Sequence, residues 1–358
     1  RVFGKMVDKG IIYKGLKPVY WSPTSQSALA EAEIEYQDKV SPAIYVAMDL
    51  VNDDRFKDVE IVIWTTTPWT IPANRGVAVG VDFNYSVVES NGRKLLVASD
   101  LVNNFIETLE LENAKVILEV TGADLEGVDV RHPYLDLTNK VMLGHHVTVE
   151  SGTGCVHIAP GHGEDDFIIG KENNIEVVSV VDAFGKMNEH AGEFAGEFYE
   201  NANKLIGEKI ESVGKLLSLK FIKHSYPHDW RTKKPVIFRA TAQWFASITP
   251  VKEELLKEID SLKYQKDWGR VRLHNMIAGR DEWCISRQRK WGVPIPIFYA
   301  ENEMPIIDVE LINHVANLFE EFGSNVWFDR DAKDLLPEGY THPDSPNGIF
   351  TKETDIMD

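Results

Sequence analysis

Apolar and polar positions alternate with strand periodicity through much of the first half of the chain. Glu31–Tyr36 alternates acidic and apolar residues, which predicts a half-exposed strand, while Val59–Trp64 has the continuous apolar character of a short buried strand. Asn84–Val97 contains Asn91-Gly92 between two alternating arms, a pattern typical of a type I′ hairpin. Further extended segments are predicted at Lys39–Met48, Lys115–Val120, Lys140–Leu143, Val147–Glu150 and Cys155–Ala159.

Five segments have helical spacing, and three of them lie in the second half of the chain. Asp100 is predicted to cap a helix that runs to Leu109, and Thr249, with Pro250 after it, is predicted to cap another. The predicted helices after the first are Asp166–Asn173, Glu197–Glu211, Pro250–Leu262 and Leu311–Phe322. The acidic, lysine-free patch Ala191–Phe198 is predicted to be a loop and not a phosphate cradle. The fold class predicted is mixed α/β with strands dominating.

Composition narrows the class of protein. A chain of 358 residues with 43% hydrophobic content can bury a substantial core and predicts two or three domains. No apolar run approaches the length of a membrane span, and no targeting segment is visible. Cys155 and Cys284 lie far apart in apolar contexts, which disfavours a disulfide and fits a reducing cytoplasm.

The net charge of −18 argues against a generic nucleic-acid-binding surface. Positive charge is instead concentrated locally, and the second of two clusters is interleaved with Trp283 and Trp291. The clusters are Arg231, Lys233, Lys234 and Arg239, and Arg280, Arg287, Arg289 and Lys290. Arginine beside aromatic rings suits the clamping of a single-stranded RNA end. Pairing with surface carboxylates is the alternative explanation.

Three adjacent threonines follow the predicted strand Val59–Trp64. The run Trp64-Thr65-Thr66-Thr67-Pro68-Trp69-Thr70-Ile71-Pro72-Ala73-Asn74 ends in a path restricted by two prolines. Such a loop holds several oxygen donors and acceptors in place but supplies no strong nucleophile without a neighbouring base. A turn whose hydroxyls bond their own backbone is the structural alternative.

A second segment concentrates histidine and acidic residues between glycines. Its sequence is Gly152-Thr153-Gly154-Cys155-Val156-His157-Ile158-Ala159-Pro160-Gly161-His162-Gly163-Glu164-Asp165-Asp166. Acidic residues in a first helical turn are favoured by the helix dipole, and His157 could be a core histidine. A carboxylate not used for capping would suit a substrate ammonium group.

Both segments resemble motifs of the editing domain of the isoleucyl-tRNA synthetases, which are class I aminoacyl-tRNA synthetases. The resemblance covers essentially the whole chain. Segments resembling the stem of that inserted domain and its return to the synthetase core are Gly15–Pro23, Ala30–Tyr36, Tyr226–Arg231, Thr241–Phe245 and Trp283–Pro296. Valyl and leucyl enzymes resemble the chain less well, because they typically carry an arginine where it has Thr67-Pro68-Trp69.

The resemblance implies a strand-rich editing domain inserted through a β-ribbon stem into part of a class I synthetase core region. The implied division is 1–32 for the first stem and flanking segment, 33–228 for the editing domain, 229–250 for the return stem, and 251–358 for a core-proximal part with a second connective segment. Neither ATP-binding signature of the family, the His-Ile-Gly-His type or the Lys-Met-Ser-Lys-Ser type, occurs. An internal fragment that edits without activating isoleucine is therefore expected. ATP and magnesium would serve the full-length enzyme only, and editing would need no cofactor.

The implied activity is aminoacyl-tRNA deacylase, an esterase that releases valine from mischarged isoleucine tRNA. By resemblance, Asp166 binds the substrate ammonium group and His157 contacts the valine side chain or the ribose. The other residues implied to line the pocket or bind substrate are Thr65, Thr66, Thr67, Asn74, Trp64 and Gly154. The residues implied to contact the tRNA are Arg231, Arg239, Arg287 and Arg289.

Several alternatives stay open at this stage. His157 acts either as general base or only in steric and orienting roles beside a positioned water. His157, His162, Glu164, Asp165 and Asp166 are metal-ligand types, but they lack the His-x-x-x-His spacing of a helical site. The chain could instead be a non-catalytic module that docks the tRNA 3′ end, or the editing domain of a valyl enzyme. Hydrolysis of the charged tRNA and of the adenylate are both compatible with these residues.

Overall fold

The computed structural model describes every residue from Arg1 to Asp358 and divides into two compact units. The first unit comprises Arg1–Leu16, Gln26–Ala32 and Thr241–Asp358, and the second comprises Lys17–Ser25 and Glu33–Ala240. The larger unit is thus inserted within the sequence of the smaller one. None of the helices combines the length and apolar character that a membrane span requires.

The regular elements are numbered in chain order. The strands are β1 (Ile12–Ser22), β2 (Ser27–Leu29), β3 (Ile34–Val51), β4 (Val59–Thr65), β5 (Gly76–Val79), β6 (Asn84–Ser90), β7 (Arg93–Ala98), β8 (Lys115–Thr121), β9 (Asp129–Arg131), β10 (Thr138–Leu143), β11 (Cys155–Ile158), β12 (Leu216–Asp229), β13 (Ile237–Ser247), β14 (Glu282–Cys284), β15 (Ser286–Arg287), β16 (Phe298–Tyr299), β17 (Pro305–Ile306), β18 (Thr351–Lys352) and β19 (Ile356–Met357).

The α-helices are mostly short and concentrate in the last third of the chain. They are α1 (Val2–Asp8), α2 (Val102–Leu109), α3 (Gly122–Leu125), α4 (Glu164–Glu172), α5 (Tyr199–Ser212), α6 (Lys252–Ser261), α7 (Asp267–Ala278), α8 (Val309–Phe322), α9 (Val326–Asp329) and α10 (Ala332–Leu335). The 3-10 helices are Glu31–Glu33, Asp54–Phe56, Pro68–Ala73, Ser99–Leu101, Glu189–Phe194 and Thr249–Val251. The predicted mixed α/β class with dominant strands is confirmed, while the finer four-part division stays a prediction.

One ten-stranded sheet organises the second unit. Its order is β11-β5-β10-β9-β3-β4-β7-β6-β8, with β12 also paired to β3. β12 and β3 run antiparallel from Leu216↔Val46 to Asp229↔Ile34, which forms a long ribbon. β5 lies between β10, to which it is parallel, and β11, to which it is antiparallel. This order brings β11 beside the strand that follows the threonine loop.

Two apolar clusters of the second unit lie against this sheet. Val62, Val88, Leu95, Val97 and Phe105 bury the face that α2 covers. The second cluster comprises Ala78, Met142, Val147, Ile158 and Ile169, and it packs α4 against the sheet next to β11. Burial of apolar area is the main stabilising contribution here, at about 25 cal/mol per Å² removed from water.

The first unit has its own sheet and cores. It contains β14, β2, the part of β1 up to Leu16 and the part of β13 from Thr241, which belong to a four-stranded sheet of order β14-β13-β1-β2. Smaller sheets pair β15 with β19 and β16 with both β17 and β18. Trp244 is fully buried in one cluster with Phe3 and Ile312, and Trp327 is fully buried in another with Phe298. The Trp244 indole N–H donates to Glu353 Oε2 at 2.8 Å, which gives this buried ring the polar partner it needs.

Several elements agree with their sequence patterns. Asn91 and Gly92 both have positive φ, 49° and 80°, as a type I′ turn requires, and β6 and β7 pair around them. The helix predicted at Leu311–Phe322 begins two residues earlier, because Asp308 Oδ1 accepts from the backbone N–H groups of Glu310 and Leu311.

Other predictions fail for identifiable reasons. Val147–Glu150 is not a strand: Val147 is buried in the apolar cluster beside β11, but no strand pairs with the segment. Asp100 does not cap its helix, which begins at Val102 after a 3-10 turn. Thr249 does not cap either, since its hydroxyl is directed to the Asp281 carbonyl. Glu31–Glu33 and Glu189–Phe194 form 3-10 helices where a strand and a loop were predicted.

Candidate functional site

The threonine loop is held by hydrogen bonds between its own members. Thr65 ends β4, and its Oγ1 accepts from the Thr67 backbone N–H at 3.1 Å. The Oγ1 atoms of Thr65 and Thr67 lie 3.1 Å apart, and the Thr70 hydroxyl donates to the Thr67 carbonyl at 2.9 Å. The Thr66 hydroxyl forms no hydrogen bond within the protein and is partly exposed. The loop thus uses two of its three adjacent hydroxyls locally and leaves one for a ligand.

A 3-10 helix fixes the path after the threonines. Pro68 occupies its first turn, Pro72 lies inside it, and all six residues of Pro68–Ala73 are buried. Proline suits such a turn because its φ is already restricted and it carries no N–H that would need a partner. The Trp69 backbone N–H donates to Asn203 Oδ1 at 3.0 Å, which ties this helix to α5. The backbone of the loop is therefore constrained at both ends.

His157 joins the loop to β11. It is 8% exposed, its Nε2 lies 2.8 Å from Thr70 Oγ1, and its Nδ1 lies 3.0 Å from Asn74 Nδ2. The Asn74 amide nitrogen also donates to the Gly76 carbonyl at 2.8 Å. Because an amide nitrogen only donates, His157 Nδ1 must accept, and its proton must lie on Nε2. The imidazole therefore donates to Thr70, whose own proton goes to the Thr67 carbonyl.

Two more imidazoles pack around the same 3-10 helix. His132 Nδ1 accepts from the Leu135 backbone N–H at 3.0 Å, so its Nε2–H donates to the Ile71 carbonyl at 2.9 Å. His162 Nε2 accepts from the Val180 N–H at 3.0 Å, so its Nδ1–H donates to the Phe238 carbonyl at 3.0 Å. The His162 ring also meets the Trp69 ring edge-on, with centroids 4.9 Å apart. No sequence pattern marks His132 or Asn139, because each approaches the loop from another strand, and Thr70 is distinguished from its neighbours only by its contact with His157.

Burial keeps all three imidazoles neutral. Desolvation lowers the pKa of His157 to about 3, and it lowers the pKa values of His132 and His162 to about 4. His157 has both ring nitrogens engaged and a pKa far below neutrality, so it is a poor general base. Its position supports the orienting role among the two alternatives.

Asp166 lies in the first turn of α4 and is anchored to the end of β11. Its Oδ2 accepts from the Ala159 backbone N–H at 2.9 Å, whereas Oδ1 forms no hydrogen bond within the protein. A Cβ on Gly163 would lie 2.9 Å from the Asp166 carboxyl carbon, so the glycine makes room for the carboxyl to fold over the helix N-terminus. Burial raises the pKa of Asp166 to about 7, which the Ala159 hydrogen bond only partly opposes. Asp165 beside it is exposed.

Trp64 and Gly154 have packing roles. A Cβ on Gly152 would lie 3.1 Å from the Trp64 ring, so that ring covers the backbone of the glycine-rich turn. Gly154 has φ +70°, and a Cβ there would lie 2.4 Å from the Ala98 Cβ. The Gly154 carbonyl accepts from the Tyr85 hydroxyl at 2.8 Å. These contacts account for Gly154 without a ligand, and its predicted substrate contact stays a prediction.

A cavity of about 190 Å³ lies beside the loop. Its lining is mainly aromatic and aliphatic and consists of Tyr20, Thr67, Trp69, Thr70, His162, Tyr226, Pro227, Val236, Ile237 and Phe238. Among the predicted pocket residues only Thr67 lines it. The hydrogen-bonded group of Thr65, Thr67, Asn74 and His157 is thus assembled as the sequence motifs suggested, while this cavity is a separate space behind the loop.

The four arginines predicted to contact tRNA differ in availability. Arg231 is exposed but pairs with Glu33 at 2.7 Å, and Arg239 donates to the Val181 carbonyl at 3.1 Å while covering the Trp21 ring. Arg287 is 3% exposed and pairs with Asp358 at 2.8 Å, which argues against the RNA contact predicted for it. Arg289 is partly buried. RNA contact by Arg231, Arg239 and Arg289 stays a prediction.

The candidate metal ligands do not converge. No three side chains of His, Cys, Asp or Glu are grouped so that they could hold a metal ion. The reason is local: His157 and His162 each use both ring nitrogens for hydrogen bonds within the protein, and Asp166 is bonded to the backbone. The loop and the imidazoles thus offer neutral donors and acceptors, and Asp166 on the same chain segment as His157 offers one carboxylate oxygen without a hydrogen bond.

The whole length of the chain is similar in sequence to known proteins. The family model described as tRNA synthetases class I (I, L, M and V) matches residues 1–358. Proteins described as isoleucine–tRNA ligase from Bacillus cytotoxicus (strain DSM 22905) and Bacillus anthracis (strain A0248) are each 61% identical over 360 residues, covering 100% of this chain and 39% of theirs. The chain thus spans 39% of the length of these curated relatives.

A solved structure described as GlLeuRS-CP1 resembles part of the chain. The TM-score is 0.41 at 13% identity, and the match covers 50% of this chain and 98% of that one. A likeness this slight carries no weight for fold or function, which rest on the contacts described above.

Gly154→Ala is expected to destabilise the second unit by roughly 2–4 kcal/mol, because it adds a left-handed φ penalty to a collision with Ala98. Urea unfolding followed by tryptophan fluorescence measures this loss. Gly214→Ala is the matched control, since Gly214 has φ +72° and a Cβ added there would meet no atom within 4 Å. Equal losses in the two variants would show that the Ala98 contact is readily relieved.

The three buried histidines are expected to remain neutral down to about pH 5, with ¹⁵N NMR showing Nε2–H in His132 and His157 and Nδ1–H in His162. Their folded pKa values lie below the unfolded value of about 6.5, so the stability they contribute is present above pH 6.5 and is lost as pH falls toward 4. The loss is about 1.4 kcal/mol per pH unit for each ring, and Asp166 acts in the opposite sense because its pKa is raised. Titration of any of the three near pH 6.5 would contradict the assignment.

Proposed function

The chain belongs to the class I tRNA synthetases (I, L, M and V), and we propose that its second unit is an editing domain that hydrolyses valine from mischarged isoleucine tRNA. The observation that carries the proposal is the threonine loop, which is rigid and whose Thr66 hydroxyl is unpaired. His157 is hydrogen-bonded to this loop through Thr70, and Asp166 lies on the same chain segment as His157 and is hydrogen-bonded to Ala159. The 61% identity to isoleucine–tRNA ligases supports isoleucine as the cognate amino acid.

The proposed reaction would remove an error that arises because valine and isoleucine are similar in size and shape. Valine lacks one methylene of isoleucine, and a hydrophobic pocket discriminates between such ligands only by about two orders of magnitude, for which isoleucyl-tRNA synthetases are the established example. A second site that accepts valine and excludes isoleucine by size removes the error. A site that selects by size needs a lining that does not move when a larger side chain enters. A loop held by hydrogen bonds at Thr65, Thr70 and Asn74 provides such a lining.

Asp166 is proposed to bind the α-ammonium group of the valyl ester through Oδ1. Oδ2 is held by Ala159, so the free oxygen has a defined direction. A substrate cation stabilises the ionised carboxylate that burial disfavours, which makes the contact selective for a protonated amine. A hydrogen bond between charged partners contributes about 1.5–3 kcal/mol.

The hydrolytic step is proposed to use a water molecule positioned by the threonine loop. The water oxygen adds to the ester carbonyl carbon, the bond to the ribose oxygen breaks, and a proton passes to that oxygen, giving valine and free tRNA. His157 orients Thr70 and does not take the proton, because its only lone pair accepts from Asn74. A hydroxyl of the substrate ribose would assist the proton transfer, and no metal or other cofactor takes part.

The wider setting of the reaction is also proposed. The partner is the 3′ end of isoleucine tRNA, and the setting is the cytoplasm, where the free thiols Cys155 and Cys284 stay reduced. ATP and magnesium would belong to aminoacylation by a full-length enzyme. A docking module without turnover is the second candidate, favoured by the absence of a strong base near the loop. The experiment that separates the two candidates is incubation of the chain with valyl- and isoleucyl-tRNA carrying the isoleucine anticodon.

Asp166→Asn is expected to lower kcat/KM for valine release by about 10- to 100-fold, because the amide keeps the Ala159 contact but loses the charge that binds the ammonium group. The assay follows labelled valine released from valyl-tRNA. Asp165→Asn is the control, since Asp165 is exposed and should be silent. In wild type the rate should rise as pH increases through about 7, where Asp166 ionises, and this rise should be absent in Asp166→Asn. Equal activity of both variants would refute the role of Asp166.

Thr66→Val is expected to reduce valine release by about 10-fold while leaving the melting temperature within roughly 2 °C, because it removes a hydroxyl with no partner in the protein. Thr65→Val removes a hydroxyl that holds the loop, and it should lower both stability and activity. Valine release and thermal unfolding are measured on the same preparations. An unchanged rate in Thr66→Val would place the substrate away from this hydroxyl.

A further inference from the structure

Two side chains from the β9–β10 hairpin donate hydrogen bonds to the segment that follows the threonines. His132, directly after β9, donates from Nε2 to the Ile71 carbonyl at 2.9 Å. Asn139, within β10, donates from Nδ2 to Asn74 Oδ1 at 3.1 Å. We propose that His132 and Asn139 are positioning residues, which set the geometry of the loop without touching the substrate. This proposal rests on the proposed hydrolysis.

His132 is fixed before it reaches the loop. It is 2% exposed, and its Nδ1 accepts from the backbone N–H groups of Tyr134 at 3.3 Å and Leu135 at 3.0 Å. Its own turn therefore sets both the ring orientation and the proton position. The Ile71 carbonyl also accepts from the Asn74 N–H at 2.9 Å, so it receives two donors. The centre of the 3-10 helix is held by a side chain from a different part of the sheet.

Asn139 sets the orientation of the Asn74 side-chain amide. Lys140 pairs with Gly76 in the parallel β10–β5 register, which places Asn139 level with the start of β5 and beside Asn74. By donating to Asn74 Oδ1, it directs the Asn74 amide nitrogen toward His157 Nδ1. The Gly76 carbonyl favours the same orientation from the other side. The proton of His157 is thereby kept on Nε2 and directed at Thr70.

The Asn139 contact starts a series of hydrogen bonds that ends at the Thr67 carbonyl. The His132 contact holds Ile71, the residue after Thr70 in the same 3-10 helix. Donation runs from Asn139 to Asn74, from Asn74 to His157, from His157 to Thr70, and from Thr70 to the Thr67 carbonyl. Asn139 and the Gly76 carbonyl together fix the orientation of the Asn74 amide, so loss of the Asn139 donor leaves the Gly76 carbonyl alone to oppose the flipped orientation. A displacement of about 1 Å in a reacting geometry can cost 100-fold in rate. A change at Asn139 is therefore expected to appear as a rate change at the loop.

The test uses a pair of substitutions at one position. His132→Gln can retain a donor near the Nε2 position and loses the acceptor at Nδ1, whereas His132→Asn retains the acceptor and loses the donor to Ile71. We expect kcat for valine release to fall at least 10-fold in His132→Asn and less than 3-fold in His132→Gln, with KM changed little in either. Both variants should lose similar thermal stability. Losses of kcat that are equal, or that follow melting temperature alone, would overturn the role of His132.

Asn139→Leu supplies a spectroscopic readout. Without the donor to Asn74, the ¹⁵N signals of His157 should shift from a pure Nε2–H form toward a mixture of tautomers, and kcat should fall about 10-fold. Unchanged His157 signals would overturn the role of Asn139 whatever the rate. If the wild-type chain releases no valine at all, the proposed function fails, while the NMR comparison still decides whether Asn139 orients His157.

Discussion

The proton on His157 Nε2 is the constraint on which the candidate site depends. Its location follows from the Asn74 amide, which can only donate to Nδ1, and it determines the direction of the Thr70 hydroxyl and hence the Thr67 backbone. A buried imidazole is suited to this task because it can accept on one side and donate on the other while remaining neutral. The same arrangement recurs at His132 and His162, so three rings constrain one short 3-10 helix without introducing a net charge.

The side chains that hold the loop are neutral, and the Asp166 carboxyl contrasts with them. Burying an ionised group costs several kcal/mol unless a partner is supplied, and the imidazole and amide side chains that hold the loop avoid this cost because they are uncharged. Asp166 is the exception: its pKa is raised to about 7 and one of its oxygens is unpaired. A carboxylate whose charge is disfavoured in the empty site gains most from an incoming cation. This property of Asp166 is the basis for the ammonium contact proposed above.

Sequence patterns predicted those parts of the molecule that local chemistry decides. A type I′ hairpin turn requires positive φ at two successive positions, which Asn and Gly adopt readily. The structure confirms this turn at Asn91-Gly92. The Val147–Glu150 strand is wrong because apolar character marks burial but not the presence of a neighbouring strand. The threonine and His157 segments could be recognised individually, yet their connection runs through Thr70 and Asn139, which depend on the β11–β5–β10 order. Such pairings between distant segments leave no local trace in a single sequence.

The rigidity of the loop also bears on how discrimination could arise. A general base at His157 would need a free lone pair, and the side chain would have to exchange its proton with solvent during every cycle. The observed hydrogen bonds use that lone pair to hold the wall, which favours exclusion by shape over acceleration by proton transfer. A rigid wall penalises an extra methylene through overpacking, a cost of about 1–3 kcal/mol, whereas a mobile wall would yield to it. In the proposed editing reaction, fixing the imidazole as a structural donor would therefore trade proton transfer at one residue for a size limit, and hydroxyl groups of the substrate would assist the hydrolysis.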